Sequence, residues 1–341
     1  QVVFNHLIGV RFPVGPPRNS NMYNIGIVDK INPKGLEILK NNNNFKYELI
    51  TDLSKENLLK KLPEFDGITL RRGKIDSEVL SNCKKLKVIS RHGVGYDNVD
   101  VDYIKKNNIK LLVTDSSTST SPAEHIMYMI LSIYKGVNMF DSMVRNGNFA
   151  KAINLDIKEN FELYKKNILI VGFGRIGKKL IKKCLGFDLN VDVFDPFVDE
   201  KIIKSHGGTK VLDLTESLKK TDILSLSLPK NDKTYNLISL KEMKLMKKNS
   251  IIINVSRGGI VNEKDLNFAL NNKIISYAGI DVFEKEPPEE NNPLLSNKRV
   301  LLSPHAATFT KECLENMSIE TVNNIIDFFE KKINKSKIVN L

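Results

Sequence analysis

The sequence predicts an α/β protein built from two doubly wound parallel-sheet domains. Its 341 residues are most simply two domains at ~100–200 residues each. Short β-rich runs alternate with helical stretches in two successive series, the pattern of parallel sheets covered on both faces. A polar Ser/Thr segment and a long apolar helix separate the series. With 41% hydrophobic and 27% charged residues, the composition excludes a disordered or fibrous chain.

The opening segment, residues 1–21, carries Pro13, Pro16, Pro17, Gly9 and Gly15 and no basic region before its short apolar patch. It therefore does not read as a secretory signal. It is expected to be a leader extension outside the fold, with Met22 as a natural start. The first series then gives strands at Asn24–Val28, Tyr47–Ile50, Gly67–Leu70, Lys87–Ser90 and Lys110–Val113. Helical stretches such as Lys34–Lys40 and Glu56–Lys61 fall between them. Ser116–Ser121, ending at Pro122, has turn and N-cap character and opens the apolar helix Ala123–Val137. A loose polar stretch, Asn146–Lys166, follows. The second series gives strands at Ile168–Val171, Val191–Phe194, Ile223–Leu228, Ile251–Val255, Tyr277–Ile280 and Val300–Leu302. In the tail, Lys311–Lys332, the residues Met317, Ile319, Val322, Ile325, Ile326 and Phe329 approach amphipathic spacing. That helix is expected to lie back on the first domain and make it discontinuous.

No apolar run reaches the ~18–20 residues of a membrane span. Cys83, Cys184 and Cys313 lie far apart with no CxxC pair, which argues against a disulfide framework or a structural zinc and for a reducing, cytoplasmic compartment. The net charge of +12 comes from lysines spread along the chain among many asparagines. Without an Arg-rich arm or an aromatic-interleaved basic stripe, it reads as a solvated bias rather than a nucleic-acid surface. It favours small anionic ligands.

The strand Ile168–Val171 runs directly into Gly172-Phe173-Gly174-Arg175-Ile176-Gly177, a GxGxxG followed by a helix with Ile176, Leu180, Ile181 and Cys184 on one face. Gly172 permits a tight turn, Gly174 lets a pyrophosphate approach bare backbone, and Gly177 allows close helix packing. The free N–H groups and positive helix end, with Arg175 and Ile176 in the first turn, then meet the phosphates. Asp195, eighteen residues past Gly177 at the end of Val191–Phe194, is placed to accept hydrogen bonds from ribose hydroxyls. It would repel an additional phosphate, so NAD is the expected cofactor rather than NADP.

Later strands also end in chemically specific residues. Ile223–Leu228 ends in Pro229, Ile251–Val255 in Ser256-Arg257-Gly258-Gly259, Tyr277–Ile280 in Asp281 with Glu286 beyond, and Val300–Leu302 in Ser303-Pro304-His305. Carboxyl strand ends line the ligand crevice of an open α/β sheet. An arginine, a carboxylate and a histidine are thereby expected together, a set suited to hydride transfer between alcohol and ketone. Arg257 can hold a substrate carboxylate and polarise the carbonyl. His305 can take or give the hydroxyl proton, and Glu286 can orient its ring.

These motifs, with Arg91-His92-Gly93-Val94-Gly95-Tyr96-Asp97-Asn98-Val99-Asp100 and Ala123-Glu124-His125, resemble the D-2-hydroxyacid dehydrogenases, the family of phosphoglycerate dehydrogenases and glyoxylate/hydroxypyruvate reductases. The likeness covers roughly residues 22–335. It implies a Rossmann NAD-binding domain (118–305) inserted into a flavodoxin-like substrate domain (22–117 plus 306–341), with catalysis in a cleft that closes on binding. By the same resemblance, Arg257, Glu286 and His305 are the catalytic set and Asp281 contacts the nicotinamide amide. Backbone groups of Val94 and Gly95 hold the substrate carboxylate, and the protein is a homodimer joined through its NAD domains. Arg71 aligns with a substrate-side arginine of phosphoglycerate-type relatives. Adjacent strand residues point oppositely, so Arg71 and Arg72 are not both expected to face the cleft if that run stays extended.

The function these readings imply is an NAD-dependent oxidoreductase of small D-2-hydroxy and 2-keto acids. Phosphoglycerate oxidation and glyoxylate or hydroxypyruvate reduction are the leading activities. No regulatory domain is expected beyond Leu341. The alternative is a dinucleotide-sensing, corepressor-like interaction protein on the same fold. No metal site, nucleic acid or membrane partner is expected.

Overall fold

A computed structural model describes residues 22–114, 117–157, 159–334 and 337–339. The leader expected at residues 1–21 and Ser116, the first residue of the polar segment, lie outside the described residues. The chain divides into two compact units. Among the described residues, one gathers 22–90, Asp97–Leu112 and those from Val322 to Val339; the other holds Arg91–Tyr96 and those of Val113–Thr321.

In the first unit the order is β1 (Tyr23–Val28), α1 (Pro33–Lys40), β2 (Phe45–Ile50), α2 (Lys55–Lys61), β3 (Gly67–Leu70), α3 (Ser77–Asn82), β4 (Val88–Arg91), α4 (Val101–Lys106) and β5 (Lys110–Val113). The strands form one sheet in the order β2-β1-β3-β4-β5, and the registered pairs run parallel. This is the flavodoxin-like order, whose direction of winding reverses between β1 and β3. Each helix start is fixed by a polar side chain accepting a backbone N–H: Asn32, Ser54, Asp76 and Asp100. Ile25, Ile27, Phe45, Val88 and Leu112 bury one sheet face with Val322, Ile325 and Ile326 from the end of the chain. Ile68, Leu70, Ile89 and Leu111 bury the other.

The second unit runs α5 (Thr120–Lys135), α6 (Val137–Arg145), α7 (Phe149–Ile153), β6 (Asn167–Val171), α8 (Arg175–Gly186), β7 (Asn190–Phe194), α9 (Glu200–Ser205), β8 (Thr209–Val211), α10 (Leu214–Leu218), β9 (Ile223–Leu226), α11 (Leu240–Met243), β10 (Ile251–Asn254), α12 (Glu263–Asn271), β11 (Tyr277–Ile280), β12 (Val300–Leu302) and most of α13 (Lys311–Phe329). Its seven strands lie in the order β12-β11-β10-β9-β6-β7-β8, parallel throughout. Side chains alternate between two cores with a period of two. Ile168, Ile170, Ile251 and Ile253 enter one core, and Leu169, Val171, Leu224 and Ile252 the other. Burial on both faces is why these strands read as unbroken apolar runs. The winding reverses between β6 and β9, so their carboxyl ends border a crevice. The free cysteines are buried: Cys83 in the first unit, Cys184 and Cys313 in the second. No helix among the described residues is long and apolar enough to cross a membrane.

Candidate active site

The glycine loop sits at the end of β6, beside the end of β9. Gly172 has φ 94°, and a Cβ there would strike the Ser227 carbonyl oxygen. Gly177 packs against the loop itself: its Cβ would lie 2.7 Å from the Gly172 oxygen. Gly174 differs, since a Cβ there meets nothing within 4 Å. It is also the N-cap of α8, and with no side chain it cannot cap, so the free N–H groups of a 12-residue helix open onto that space. Arg175 is exposed and Ile176 half-buried in the first turn. Asp195 is joined to the loop directly. The Phe173 N–H donates to its Oδ2 (2.8 Å) and the Phe197 N–H to its Oδ1 (2.9 Å). Pro229 follows β9, exposed, its carbonyl accepting from Thr234 Oγ1 (2.7 Å). An open cradle, a helix start with no side-chain cap and an acid at the next strand end fit a dinucleotide.

Arg257 follows β10. Buried Asn254 shapes its turn by accepting from the Ser256 N–H (3.1 Å) and hydroxyl (2.7 Å) while its amide donates to the Arg257 carbonyl (2.9 Å). The guanidinium donates to the Ser256 carbonyl (2.6 Å) and lies against Gly95, where any Cβ would collide with it. Arg91 holds the same short loop from its other side, donating from Nε to the Gly95 carbonyl (2.6 Å). Val94 is exposed. Gly258 has no room for a Cβ because the Phe283 carbonyl passes beside it; this brings the loop after β11 against the loop after β10.

His305 Nδ1 lies 2.8 Å from Glu286 Oε2, and Glu286 Oε1 accepts from the Phe283 N–H (3.1 Å). Burial raises the Glu286 carboxyl, but the hydrogen bond and charge of His305, the Phe283 N–H and the charge of Arg257 outweigh it and hold the group below its ordinary range. Both side chains remain partly exposed, so the pair is reachable by a solute. Asp281 is fully buried. Its carboxylate accepts from the Ser303 hydroxyl, the Ala306 N–H (2.7 Å) and the Ala307 N–H (3.1 Å). It thus fastens the segment that carries His305.

In the first unit, Arg71 and Arg72 meet at the reversal point of the sheet. β3 stops at Leu70, so strict alternation no longer applies. Both guanidiniums reach buried Asp29, Arg72 at 2.6 Å and Arg71 at 3.6 Å. Arg71 also donates to the Lys30 carbonyl (3.4 Å). Asn254, Ser303, Ser121 and His125 were not legible as site residues. His125 and Ser303 stand within motifs that carry the resemblance but were given no role; the physical signal all four share is a polar group inside or beside an apolar run, which must find a partner when buried.

Residues 127–307 match the family described as D-isomer specific 2-hydroxyacid dehydrogenase, NAD binding domain. The chain is 36% identical over 284 residues to a glyoxylate reductase of Thermococcus litoralis, covering 81% of this chain and 84% of that one. It is 34% identical over 292 residues to a D-3-phosphoglycerate dehydrogenase of Methanocaldococcus jannaschii, covering 85% of this chain and 54% of that one. The chain therefore spans about half the length of that phosphoglycerate dehydrogenase and of a second from Archaeoglobus fulgidus, of which it covers 56%. Among solved structures, an NADPH-dependent glyoxylate/hydroxypyruvate reductase of Sinorhizobium meliloti in complex with NADP and malonate superposes with a TM-score of 0.84 at 24% identity, covering 94% of this chain and 97% of that one. From the match over residues 127–307 and the likeness to a glyoxylate reductase over 81% of the chain, the chain belongs to the D-isomer specific 2-hydroxyacid dehydrogenase family.

Proposed function

We propose that the protein is an NAD-linked oxidoreductase acting on small D-2-hydroxy and 2-keto acids. The observation that carries this reading is the His305–Glu286 pair (2.8 Å), set in the same unit as the glycine loop with Arg257 close enough to act on Glu286. Gly172, Gly174, Gly177, Arg175, Ile176, Asp195, Pro229 and Asp281 are the residues that would hold the dinucleotide, and Asp195 favours NAD over NADP by charge. When bound, the cofactor supplies or accepts the hydride.

The chain's own residues do the rest. Arg257 binds the substrate carboxylate through its planar fork and draws electron density from the neighbouring carbonyl, with backbone N–H groups at Val94 and Gly95 completing the anion site. Glu286 accepts the Nδ1 proton of His305 in a hydrogen bond, which fixes the orientation of the ring. His305 Nε2, not engaged by Glu286, then gives a proton to the ketone oxygen or removes one from the hydroxyl.

We further propose a homodimer formed through α6 and α7. Val144, Phe149 and Ile153 are exposed there, the last two at 61% and 69%, and neither helix has a buried residue. Three buried free thiols support a cytoplasmic setting. The functional test is NADH oxidation with hydroxypyruvate, glyoxylate, pyruvate and phosphohydroxypyruvate, and NAD reduction with D-3-phosphoglycerate against D-glycerate. Turnover of at least one is expected. The matched relatives are enzymes, so the dinucleotide-sensing alternative has no support, and cofactor binding with no turnover of any of these acids would overturn the proposal.

A further inference from the structure

His305 stands in the left-handed region, φ 52°, which a residue with a side chain adopts only when its surroundings hold it there. Those surroundings can be traced. The His305 N–H donates to the Asp281 carbonyl (2.7 Å). The next two N–H groups donate to the Asp281 carboxylate, as does the Ser303 hydroxyl. A carboxylate gathering two backbone N–H groups and a hydroxyl acts as acceptor only, so the single Ser303 proton is committed to it.

The Ser303 oxygen can therefore only accept from its other neighbour, His125 Nε2 at 3.0 Å. That requires the proton on Nε2, a tautomer assigned from the network. The same nitrogen lies 3.6 Å from Asp281 Oδ1. Burial pushes His125 down and the Asp281 charge pushes it up; the outcome lies below the ordinary histidine range. A neutral ring with one proton is what the network needs. The Tyr128 ring, 5.4 Å away between centroids, packs beside it.

One helical turn before His125, the Ser121 hydroxyl donates to the Ala307 carbonyl (2.6 Å). Residues four apart share a helix face. α5 thus grips the segment at both ends, through Ser303 before His305 and Ala307 after it. We infer that Ser121 and His125 act with Ser303 as positioning residues that hold the His305 turn in register through the buried Asp281. The inference rests on the reading of His305 as the proton-transfer group.

The test uses the full chain with a keto acid found active in the screen. His125→Leu is expected to lower kcat at least tenfold while the keto-acid KM stays within about threefold. His125→Gln, whose amide can still donate to Ser303, is expected to recover kcat to within about threefold of the parent. Ser303→Ala, which leaves α5 intact, should match His125→Leu, and the double variant should lose no more than the worse single one. A second readout needs no turnover. Amide hydrogen exchange at residues 305–307 should quicken at least tenfold in both single variants, with α8 unchanged. A His125→Leu kcat within twofold of the parent, no rescue by glutamine, multiplying losses or unaltered exchange at 305–307 would each overturn the inference. A parent protein that turns over no acid would instead count against the enzyme reading, with exchange still deciding the anchoring.

Discussion

A methyl group added at Gly174 would meet no atom within 4 Å, whereas one at Gly172 would run into the Ser227 carbonyl in a backbone with φ 94°. The two substitutions should separate binding from folding. Gly174→Ala is expected to leave the melting temperature unchanged and weaken NADH at least tenfold by fluorescence titration, because its Cβ enters the cradle. Gly172→Ala should cost ~1–3 kcal/mol of stability in urea. Gly95→Ala acts on the substrate side: its methyl would displace the Arg257 guanidinium, so the keto-acid KM should rise at least tenfold with NADH affinity intact. Glu286 carries a pH signature. Because His305 and Arg257 hold its carboxyl below the ordinary range, it contributes stability above that range and loses it as pH falls through the lowered value. Glu286→Gln should therefore remove that acid-side loss, measured as melting temperature against pH.

At the scale of elements, the reversal point of the five-stranded sheet is closed by charge. Asp29, with φ 71°, buries its carboxylate beside two guanidiniums. Burial raises it, and Arg72, the Lys30 N–H and Arg71 lower it by more. Asp29→Ala should cost ~1–2 kcal/mol, a modest figure because Arg72 remains largely in solvent. The loss should shrink in acid, as pH falls through the lowered aspartate value. The strands were legible because their apolarity is nearly continuous: Gly67–Leu70, Lys110–Val113, Tyr277–Ile280 and Val300–Leu302 stand as read. β8 was not: Thr209-Lys210-Val211 holds a single apolar residue, whereas β12, an edge strand of the same length, is apolar throughout. α7 was hidden in the stretch read as loose and polar, and α6 fell between that stretch and the long helix without being read; neither helix has a buried residue to mark a core-facing stripe. The long helix was read through Val137, but left-handed Gly136 ends it at Lys135. Of the site, the strand-end Arg257, Asp281 and His305 were readable from their places after apolar runs. Their supports were not: Ser303 and His125 act through long-range hydrogen bonds that no local spacing encodes, and Asn254 shapes a local turn from the buried end of an apolar strand.

For the whole molecule, the +12 charge should draw anionic substrates, an attraction that salt screens. The apolar outer faces of α6 and α7 give the proposed dimer its own test. Ile153→Glu puts a charge on a residue that is 69% exposed, so it should not unfold the chain. Size-exclusion chromatography is expected to show a dimer for the parent and a monomer for the variant. The buried cysteines carry a different consequence. Desolvation lifts the Cys83 and Cys313 thiols to about 11 and Cys184 to about 12, so at neutral pH none offers the thiolate that alkylating reagents attack. Modification must wait for a local breach. Labelling rates would then serve as built-in clocks, Cys83 timing one half of the chain, Cys184 and Cys313 the other, with no foreign probe attached.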